Sequence, residues 1–304
     1  MLMLGFVNLN KPPGLTSHDC VAKMRRLLKL KRIGHGGTLD PAAMGVLPIA
    51  VGNATRLLPF LPSQKAYRAK IRLGTKTTTD DLEGEVISTQ PAPELTLDNI
   101  TPLLPKFQGI IDQIPPAYSA IQRDGKRLYE LARKGEKVEV PLRTVEVNKI
   151  EVLQFISGEF PELEVNIECG PGTYIRAIAR DLGETLGVGG TLATLTRTKS
   201  CGFNLSTSLT FEQIEKQLQQ QTFSPIPVAI ALSNLTPVNL SPTEAKRWCQ
   251  GQRLRKHTFN TELQKSKEVV RVQEEDGTFL GIGELIKLDD RLLLIPKTVL
   301  APRG

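Results

Sequence analysis

Apolar residues recur along the chain with two spacings, and each spacing predicts a different kind of element. The segment TSHDCVAKMRRLLKL, residues 16–30, opens with Thr16 or Ser17 as a helix cap and repeats apolar residues every three or four positions, so it predicts an amphipathic helix. KAYRAKIRLG (65–74) and EGEVIST (83–89) alternate apolar and polar residues, which is typical of strands. The turn-like TKTTTDDLEG between them predicts that these two strands form a hairpin.

The rest of the chain continues this mixture of helices and strands. MLMLGFVNLNKPPG predicts a first strand, LDNITPLLPKFQG a short helix, and PELEVNIECGPGTYIRAIARDLGETLG a strand, a Gly-Pro-Gly turn and a helix. The glutamine- and proline-rich residues 217–242 are typical of a crossing between domains, and the short alternating strands of 269–300 predict a small β-barrel. The pattern therefore predicts an α+β protein with much antiparallel pairing and a smaller C-terminal domain.

Charge narrows the class of partner. Lysine and arginine outnumber aspartate and glutamate by 39 to 32 in the 304 residues, which gives a net charge of +7 and favours an anionic partner. Two basic runs stand out, KMRRLLKLKR at 23–32 and EAKRWCQGQRLRKH at 244–257. Either run could contact phosphates, or it could be the solvated face of a helix or loop.

Cysteines, histidines and the N-terminus speak against several other classes. The four cysteines lie far apart without a CxxC pair and the three histidines lack metal-ligand spacing, so we expect reduced thiols and no metal site. The first residues lack the charged region and the cleavage site of a signal peptide, so we expect a cytoplasmic protein without membrane attachment. The lysine and the spacing of a nucleotide-binding P-loop are also missing.

A glycine-rich loop draws attention to one aspartate, Asp40, in RIGHGGTLDPAAMGVLPIAVGNATRL (32–57). Glycines permit backbone angles closed to other residues, and Pro41 keeps Asp40 out of the helical region, so the loop is expected to be rigid. The apolar AAMGVLPIAVG that follows would bury the far side of the loop and leave Asp40 at the edge of a pocket. The alternative is that Asp40 merely caps a turn or helix.

An isolated carboxylate limits the chemistry that this loop can perform. It does not fit two-carboxylate glycosidases or a calcium cage, and the acids of TTDDLEGE (78–85) are interpreted as solvated turn residues. If Asp40 is catalytic, it acts as nucleophile or base by itself and needs a cation to keep it ionised and aimed. GPGTYIRAIARDLGE offers Arg176, with Tyr174 two residues before it. The alternative for this pair is a core aromatic and a surface arginine.

Five segments in order carry a resemblance to a known family. NKPPGLTSHD, GHGGTLDPAAMGVLPIAVGNATR, KAYRAKIRLGTKTTTDDLEGEV, IPPAYSAIQRDGKRLYELARKG and CGPGTYIRAIARDLGETLG resemble the successive motifs of the bacterial tRNA pseudouridine synthase B family. The resemblance covers most of residues 7–203. It implies a pseudouridine-synthase catalytic domain at 1–235, with a mixed, largely antiparallel sheet flanked by helices, and a small, β-barrel-like, PUA-like RNA-binding domain at 236–304.

The resemblance also implies an activity and a partner. Such an enzyme isomerises the T-loop uridine (position 55) of tRNA to pseudouridine after flipping the base out of the loop. The uracil is detached at N1, turned and rejoined through C5, which requires no cofactor. The implied partner is the tRNA T-arm, bound by a monomer without an obligatory protein partner.

Functional roles follow for individual residues where the motifs match. Asp40 matches the catalytic aspartate, Tyr67 the base-stacking tyrosine and Arg176 the arginine that pairs with the aspartate. Tyr174 and Leu195 match residues that line the uracil pocket. His35 matches the histidine that contacts the displaced RNA. The segment 114–143 matches the RNA-gripping insertion, whose basic residues here include Arg123, Lys126 and Arg127.

Two departures and two alternatives accompany the resemblance. Gly36 stands where other members often have a bulkier residue, and TKSCGF varies the strand that follows Leu195. One alternative function is a guide-RNA-dependent relative inside a ribonucleoprotein, which would be expected to carry long basic terminal extensions. The other is a non-catalytic RNA-binding or RNA-folding protein, which would tolerate the loss of Asp40.

Overall fold

The computed structural model describes residues 3–118, 122–123, 126–127, 140–259, 266–289 and 291–300, with the backbone only at 122–123 and 126–127. The α-helices are α1 Ser17–Leu28, α2 Leu97–Ile100, α3 Ile175–Thr185, α4 Phe211–Gln219, α5 Val228–Ala231 and α6 Pro242–Cys249. Short 3-10 helices span Gly52–Phe60, Thr101–Phe107 and Leu205–Thr207. The first strands are β1 Gly5–Lys11, β2 Ile33–His35, β3 Met44–Val51, β4 Lys65–Leu73, β5 Thr75–Thr77, β6 Val86–Thr89, β7 Gly109–Gln113, β8 Gln122–Arg123 and β9 Lys126–Arg127. The remaining strands are β10 Arg143–Ile156, β11 Glu162–Cys169, β12 Gly190–Ser200, β13 Phe203–Asn204, β14 Pro237–Leu240, β15 Leu254–Lys256, β16 Lys267–Glu274, β17 Phe279–Leu288 and β18 Arg291–Val299.

A large mixed sheet forms the centre of the protein. Its strands lie in the order β1-β3-β12-β4-β11-β10-β7, with β2 added beside β3 and β13 beside β12. Neighbouring strands are antiparallel except β3 and β12, which run parallel where Thr196 faces Met44. This parallel contact places the loop before β3 beside β12. The predicted α+β class with a largely antiparallel sheet is confirmed.

Helix α1 forms as its sequence predicts. Thr16 is the N-cap, and a capping box joins Thr16 and Asp19. Cys20, Val21, Met24 and Leu28 form the buried face, which packs with β1 and β3 in one core. Most of the basic run at 23–32 therefore lies on the side of α1 and its following turn that is exposed or half-buried.

The hairpin predicted between 65–74 and 83–89 is wrong. The first of these segments, as β4, lies in the middle of the large sheet between β12 and β11. The second contributes β6, which pairs with the short β5 in a separate two-stranded sheet. Gly74, whose φ is +81°, separates β4 from β5. A β-carbon at this position would lie 2.5 Å from the Gln90 carbonyl oxygen, so only glycine fits here.

The C-terminal strands form a second, smaller sheet with the order β14-β16-β17-β18-β15. This sheet is curled into a half-barrel, which agrees with the predicted barrel-like domain. Trp248 of α6 is fully buried in its core. A further apolar cluster joins Phe6 and Val46 of the large sheet to Val228 and Ile282, so the two sheets share part of their packing. In the described residues, no helix is both long and apolar enough to cross a membrane.

Candidate active site

Buried cations hold the loop that carries Asp40. The fully buried Arg197 of β12 donates from Nη2 to the Gly37 carbonyl at 3.0 Å, from Nη1 to the Thr38 carbonyl at 3.2 Å and from Nε to the Val46 carbonyl at 2.8 Å. These carbonyls lie on both sides of Asp40, so a single guanidinium fixes the course of the chain through the loop.

Two residues from earlier elements complete this support. The fully buried Lys11 of β1 donates from Nζ to the Pro41 carbonyl at 3.0 Å and the Ala43 carbonyl at 2.6 Å, and burial lowers the pKa of its ammonium group. Ser17 of α1 accepts from the Leu39 N–H at 2.8 Å and donates to the Leu39 carbonyl at 3.1 Å. The rigid loop predicted from the glycines and Pro41 therefore depends mainly on side chains that lie elsewhere in the chain.

Arg176 is the cation beside Asp40. It lies in the first turn of α3, is 5% exposed, and places Nη2 3.1 Å from Asp40 Oδ2. Its Nη1 lies 3.4 Å from Asp81 Oδ2, and the same guanidinium donates to the carbonyls of Thr79 and Tyr118, both at 3.0 Å. One buried arginine thus joins the Asp40 loop, the turn before β6 and the residues that follow β7.

The turn before α3 sets the direction of Arg176. Tyr174 is the N-cap residue, and its backbone is clamped by Gln113, which donates to the Tyr174 carbonyl at 3.3 Å and accepts from its N–H at 3.1 Å. Gly172, with φ +86°, supplies the left-handed residue that the turn needs. Tyr174 and Arg176 therefore project from one fixed helix start.

A cavity of about 340 Å³ opens between these elements. Five of the predicted site residues line it, namely Asp40, Tyr67, Tyr174, Arg176 and Leu195. Tyr67 is 6% exposed, and burial raises the pKa of its phenol to about 12, so the phenol is neutral throughout the physiological range. The cavity thus combines the aromatic and apolar side chains of Tyr67, Tyr174 and Leu195 with the pair of Asp40 and Arg176 and with two further cationic residues, Lys65 and Arg143. Its volume and its aromatic wall suit a flat ring such as a base.

His35 lies apart from the lining of this cavity. It lies at the end of β2, where its ring contacts the ring of His18 edge-on, with 5.4 Å between the centroids. Burial lowers the pKa of His35, and its Nδ1 is buried without a hydrogen-bond partner among the described residues. The side chains of Arg123, Lys126 and Arg127 lie outside the described residues, so their role in RNA binding stays a prediction.

The interpretation of TTDDLEGE as solvated turn acids is wrong for its two aspartates. Asp81 is 9% exposed and pairs with Arg176, and Asp80 pairs with Arg180 at 2.9 Å. The turn is folded against β12, where the Leu82 N–H donates to the Leu192 carbonyl, and in this position Asp81 is buried and Asp80 half-buried. The candidate site therefore has a second carboxylate on the arginine that holds Asp40.

Sequence reasoning also missed the supporting residues Lys11, Arg197 and Gln113 and the cavity residue Lys65. Arg143, the last residue of the predicted RNA-gripping insertion, lines the cavity as well. The LTRT segment after Leu195 gave no signal that its arginine is buried. The lysine in LNKPPG, Lys11, stands next to two prolines, and this position was only a weak signal of a supporting role. Among the described residues, no group of three His, Cys, Asp or Glu side chains could hold a metal ion.

Three family models match successive parts of the chain. The family model described as TruB family pseudouridylate synthase, N terminal domain, matches residues 25–175. The tRNA pseudouridylate synthase B C-terminal domain matches 176–234, and the Pseudouridine synthase II TruB, C-terminal model matches 236–300. Together these three models account for nearly all of the chain.

Curated relatives and solved structures are similar over the full length. A tRNA pseudouridine synthase B of Gloeothece citriformis is 60% identical and one of Synechocystis sp. 50%, each aligned over at least 98% of both chains. A solved structure of a Cbf5-Nop10-Gar1 complex contains a chain that is 27% identical, with a TM-score of 0.76 over 99% of this chain and 86% of that one. By the matched models and these relatives, the chain belongs to the TruB family of tRNA pseudouridine synthases and is itself a pseudouridine synthase.

Proposed function

We propose that this pseudouridine synthase isomerises the T-loop uridine at position 55 of tRNA and that Asp40 is its catalytic carboxylate. The observation that carries the proposal is the pairing of Asp40 Oδ2 with the buried Arg176 at the edge of a cavity large enough for a uracil ring. Relatives that are 50–60% identical and named for tRNA support the choice of substrate.

The cavity residues suit the steps that the reaction needs. A uridine that leaves its stack loses stacking energy, and Tyr67 and Tyr174 offer aromatic surface that offsets this loss. Tyr67 stacks as a neutral phenol because burial raises its pKa to about 12. Arg176 orients Asp40, so that the carboxylate can act as a nucleophile while the uracil detaches, turns and rejoins through C5.

Residues outside the cavity are proposed to grip the RNA. The first residues of the insertion at 114–143 are hydrogen-bonded to α3. Arg180 donates to the Ile114 carbonyl at 2.8 Å, and Arg176 donates to the Tyr118 carbonyl. We propose that this insertion, with Arg123, Lys126 and Arg127, binds the T-arm, and that His35 contacts the displaced RNA. The domain assignment of 1–235 as catalytic and 236–304 as PUA-like and RNA-binding belongs to the same proposal.

The protein is further proposed to act in the cytoplasm as a monomer that needs no protein partner. The Cbf5 chain in the solved complex is similar in fold, but it is 27% identical, whereas tRNA pseudouridine synthase B relatives are 50–60% identical over the whole chain. Incubating the purified chain alone with an unmodified tRNA transcript tests this point. Pseudouridine mapped to position 55 is expected, and a requirement for an added protein or guide RNA would contradict it.

Replacing Asp40 by asparagine tests the catalytic role. Asparagine keeps the shape and the capping ability of the side chain but removes its charge, so we expect the single-turnover rate to fall by several orders of magnitude. Affinity for tRNA should stay within about tenfold, because phosphate contacts dominate binding. Asp112→Asn is the matched control, since Asp112 is an exposed aspartate that accepts a hydrogen bond from Thr144 and should leave the rate unchanged.

The measurement combines single-turnover pseudouridine formation with a filter-binding titration for each variant. An Asp40→Asn protein that folds, binds tRNA and converts the uridine at nearly the normal rate would show that Asp40 only caps the loop. Arg176→Lys should be intermediate, because lysine keeps the charge but loses the planar fork that now contacts two carboxylates and two carbonyls.

A further inference from the structure

The charges that line the cavity are unequal. Three cationic side chains, Lys65, Arg143 and Arg176, face the cavity together with one carboxylate, that of Asp40. Arg176 is already paired with Asp40 and with Asp81. Within the described part of the chain, neither Lys65 nor Arg143 has an ion pair or a side-chain hydrogen bond. The cavity therefore has positive charge that the described protein does not neutralise.

Of these two cations, Lys65 loses more of its hydration in the fold. It is half-buried at the start of β4, whereas Arg143 is exposed at the start of β10. Its Nζ lies 3.8 Å from the position that a β-carbon on Gly37 would occupy, so the ammonium group sits against the Asp40 loop. Burial and the nearby Arg197 lower the pKa of Lys65. A half-buried charge without a partner is destabilising unless a ligand supplies one.

The neighbouring buried cations show what a structural role looks like in this fold. Arg197 donates to three backbone carbonyls of the Asp40 loop region, and Lys11 also donates to three carbonyls. On the same strand as Lys65, Lys70 lies 3.4 Å from Glu162. Lys65 differs from all of them because it lines the cavity and has no hydrogen bond or ion pair with a carbonyl or carboxylate of the described chain.

We propose that Lys65 binds a phosphate of the RNA backbone next to the flipped uridine. A nucleotide that swings into the cavity has a phosphodiester on each side, and an anion repays the desolvation of an ammonium group better than a neutral carbonyl of uracil does. The proposal rests on the proposed function, since it takes the substrate to be a uridine flipped from an RNA strand. It assigns Lys65 to substrate binding and not to the chemical step.

The test compares Lys65→Met with the matched control Lys70→Met on an isolated T-arm hairpin. We expect Lys65→Met to bind about tenfold more weakly than wild type and to lower the salt dependence of binding by about one phosphate contact, whereas Lys70→Met should bind as wild type does. Lys65→Arg should recover most of the affinity, because it restores the charge. Circular dichroism on each variant identifies any that fail to fold. If Lys65→Met is among them, Lys65→Gln, which also removes the charge, replaces it in every comparison.

Modified hairpins identify the group that Lys65 touches. In two further substrates, one neutral methylphosphonate replaces the phosphate on the 5′ or the 3′ side of the target uridine. For one of these two substrates, Lys65→Met and wild type should bind with equal affinity, because the phosphate charge that Lys65 contacts in the unmodified hairpin is already gone. If Lys65→Met weakens binding to all three hairpins equally, Lys65 touches the base or sugar, and the proposal is overturned. Unchanged affinity for the unmodified hairpin would overturn it too.

The same experiment separates this proposal from the proposed function. Wild-type protein that forms no pseudouridine in the unmodified hairpin or in full-length tRNA contradicts the proposed T-loop activity. Wild-type protein that forms pseudouridine while Lys65→Met binds normally contradicts only the assignment of Lys65.

Discussion

Replacing Asp81 by asparagine tests whether Arg176 must be held from two sides. Arg176 places Nη1 near Asp81 and the Thr79 carbonyl, and Nη2 near Asp40 and the Tyr118 carbonyl. An asparagine at position 81 can still accept, through Oδ1, the hydrogen bond that the Glu83 N–H donates to Asp81 Oδ1. Its amide would replace a charged acceptor beside Nη1, so the guanidinium loses its anchor on the side away from Asp40.

The magnitude follows from the burial of the pair. The side chain of Asp81 is 13% exposed and that of Arg176 6%, so their ion pair at 3.4 Å is largely shielded from water. A charge-assisted contact of this kind contributes about 2 kcal/mol. If the loss appears wholly in the orientation of Arg176 toward Asp40, the single-turnover rate falls about 30-fold. Affinity for tRNA should change little, because the phosphate contacts remain.

The neighbouring aspartate provides the control. Asp80 is similarly buried but pairs with Arg180, and its φ of +60° suits asparagine, so Asp80→Asn should fold well and keep its rate within about threefold. Rates are measured with enzyme in excess and saturating, and the melting temperature of each variant is recorded. An Asp81→Asn rate within threefold of wild type, or an equal loss in Asp80→Asn, would refute the two-sided support of Arg176.

Two smaller predictions concern the cavity wall and the loop. Because burial raises the pKa of Tyr67 from 10 to about 12, its neutral phenol stabilises the fold below pH 10, and this contribution is lost as the pH rises through 12. The difference in phenolate absorbance between wild type and Tyr67→Phe should show a midpoint near pH 12, and a midpoint near 10 would contradict the burial. Gly36→Ala should cost about 1–2 kcal/mol in urea unfolding, because its β-carbon would lie 3.0 Å from Cys201 Sγ. Adding Cys201→Gly, at φ +54°, should restore the stability, and an equal loss in the double variant would show that these residues are uncoupled.

Local signals in the sequence predicted the parts of the site that depend on local structure. The cap and apolar spacing of α1 lie within a dozen residues, and the glycines and proline around Asp40 restrict their own backbone, so both predictions needed no distant contact. Arg176 was found because it follows a glycine turn at a helix start, and its pairing with Asp40 agrees with what the resemblance implied. The roles assigned to these residues in the reaction stay predictions.

Contacts between distant segments could not be predicted in this way. Acids in a polar turn are usually solvated, and only the packing of that turn on β12 buries Asp81 and half-buries Asp80. The hairpin prediction failed for a related reason, since alternation identifies a strand but does not say which strand lies beside it. Gly36 and Cys201 lie 165 residues apart in the sequence but are in contact, and the Cys201 thiol lies 3.5 Å from the Gly36 carbonyl oxygen.

The position of Asp40 in a glycine loop follows from how charge is distributed around it. Lys11 and Arg197 lie close to the loop, but both donate to backbone carbonyls, so they fix the chain without occupying the carboxylate. Arg176 alone, among the described residues, pairs with Asp40, and it does so at Oδ2. The side chain of Asp40 keeps 41% of its surface exposed. A carboxylate that a buried arginine holds at the edge of a cavity, and that is still partly exposed, can meet a substrate that enters the cavity.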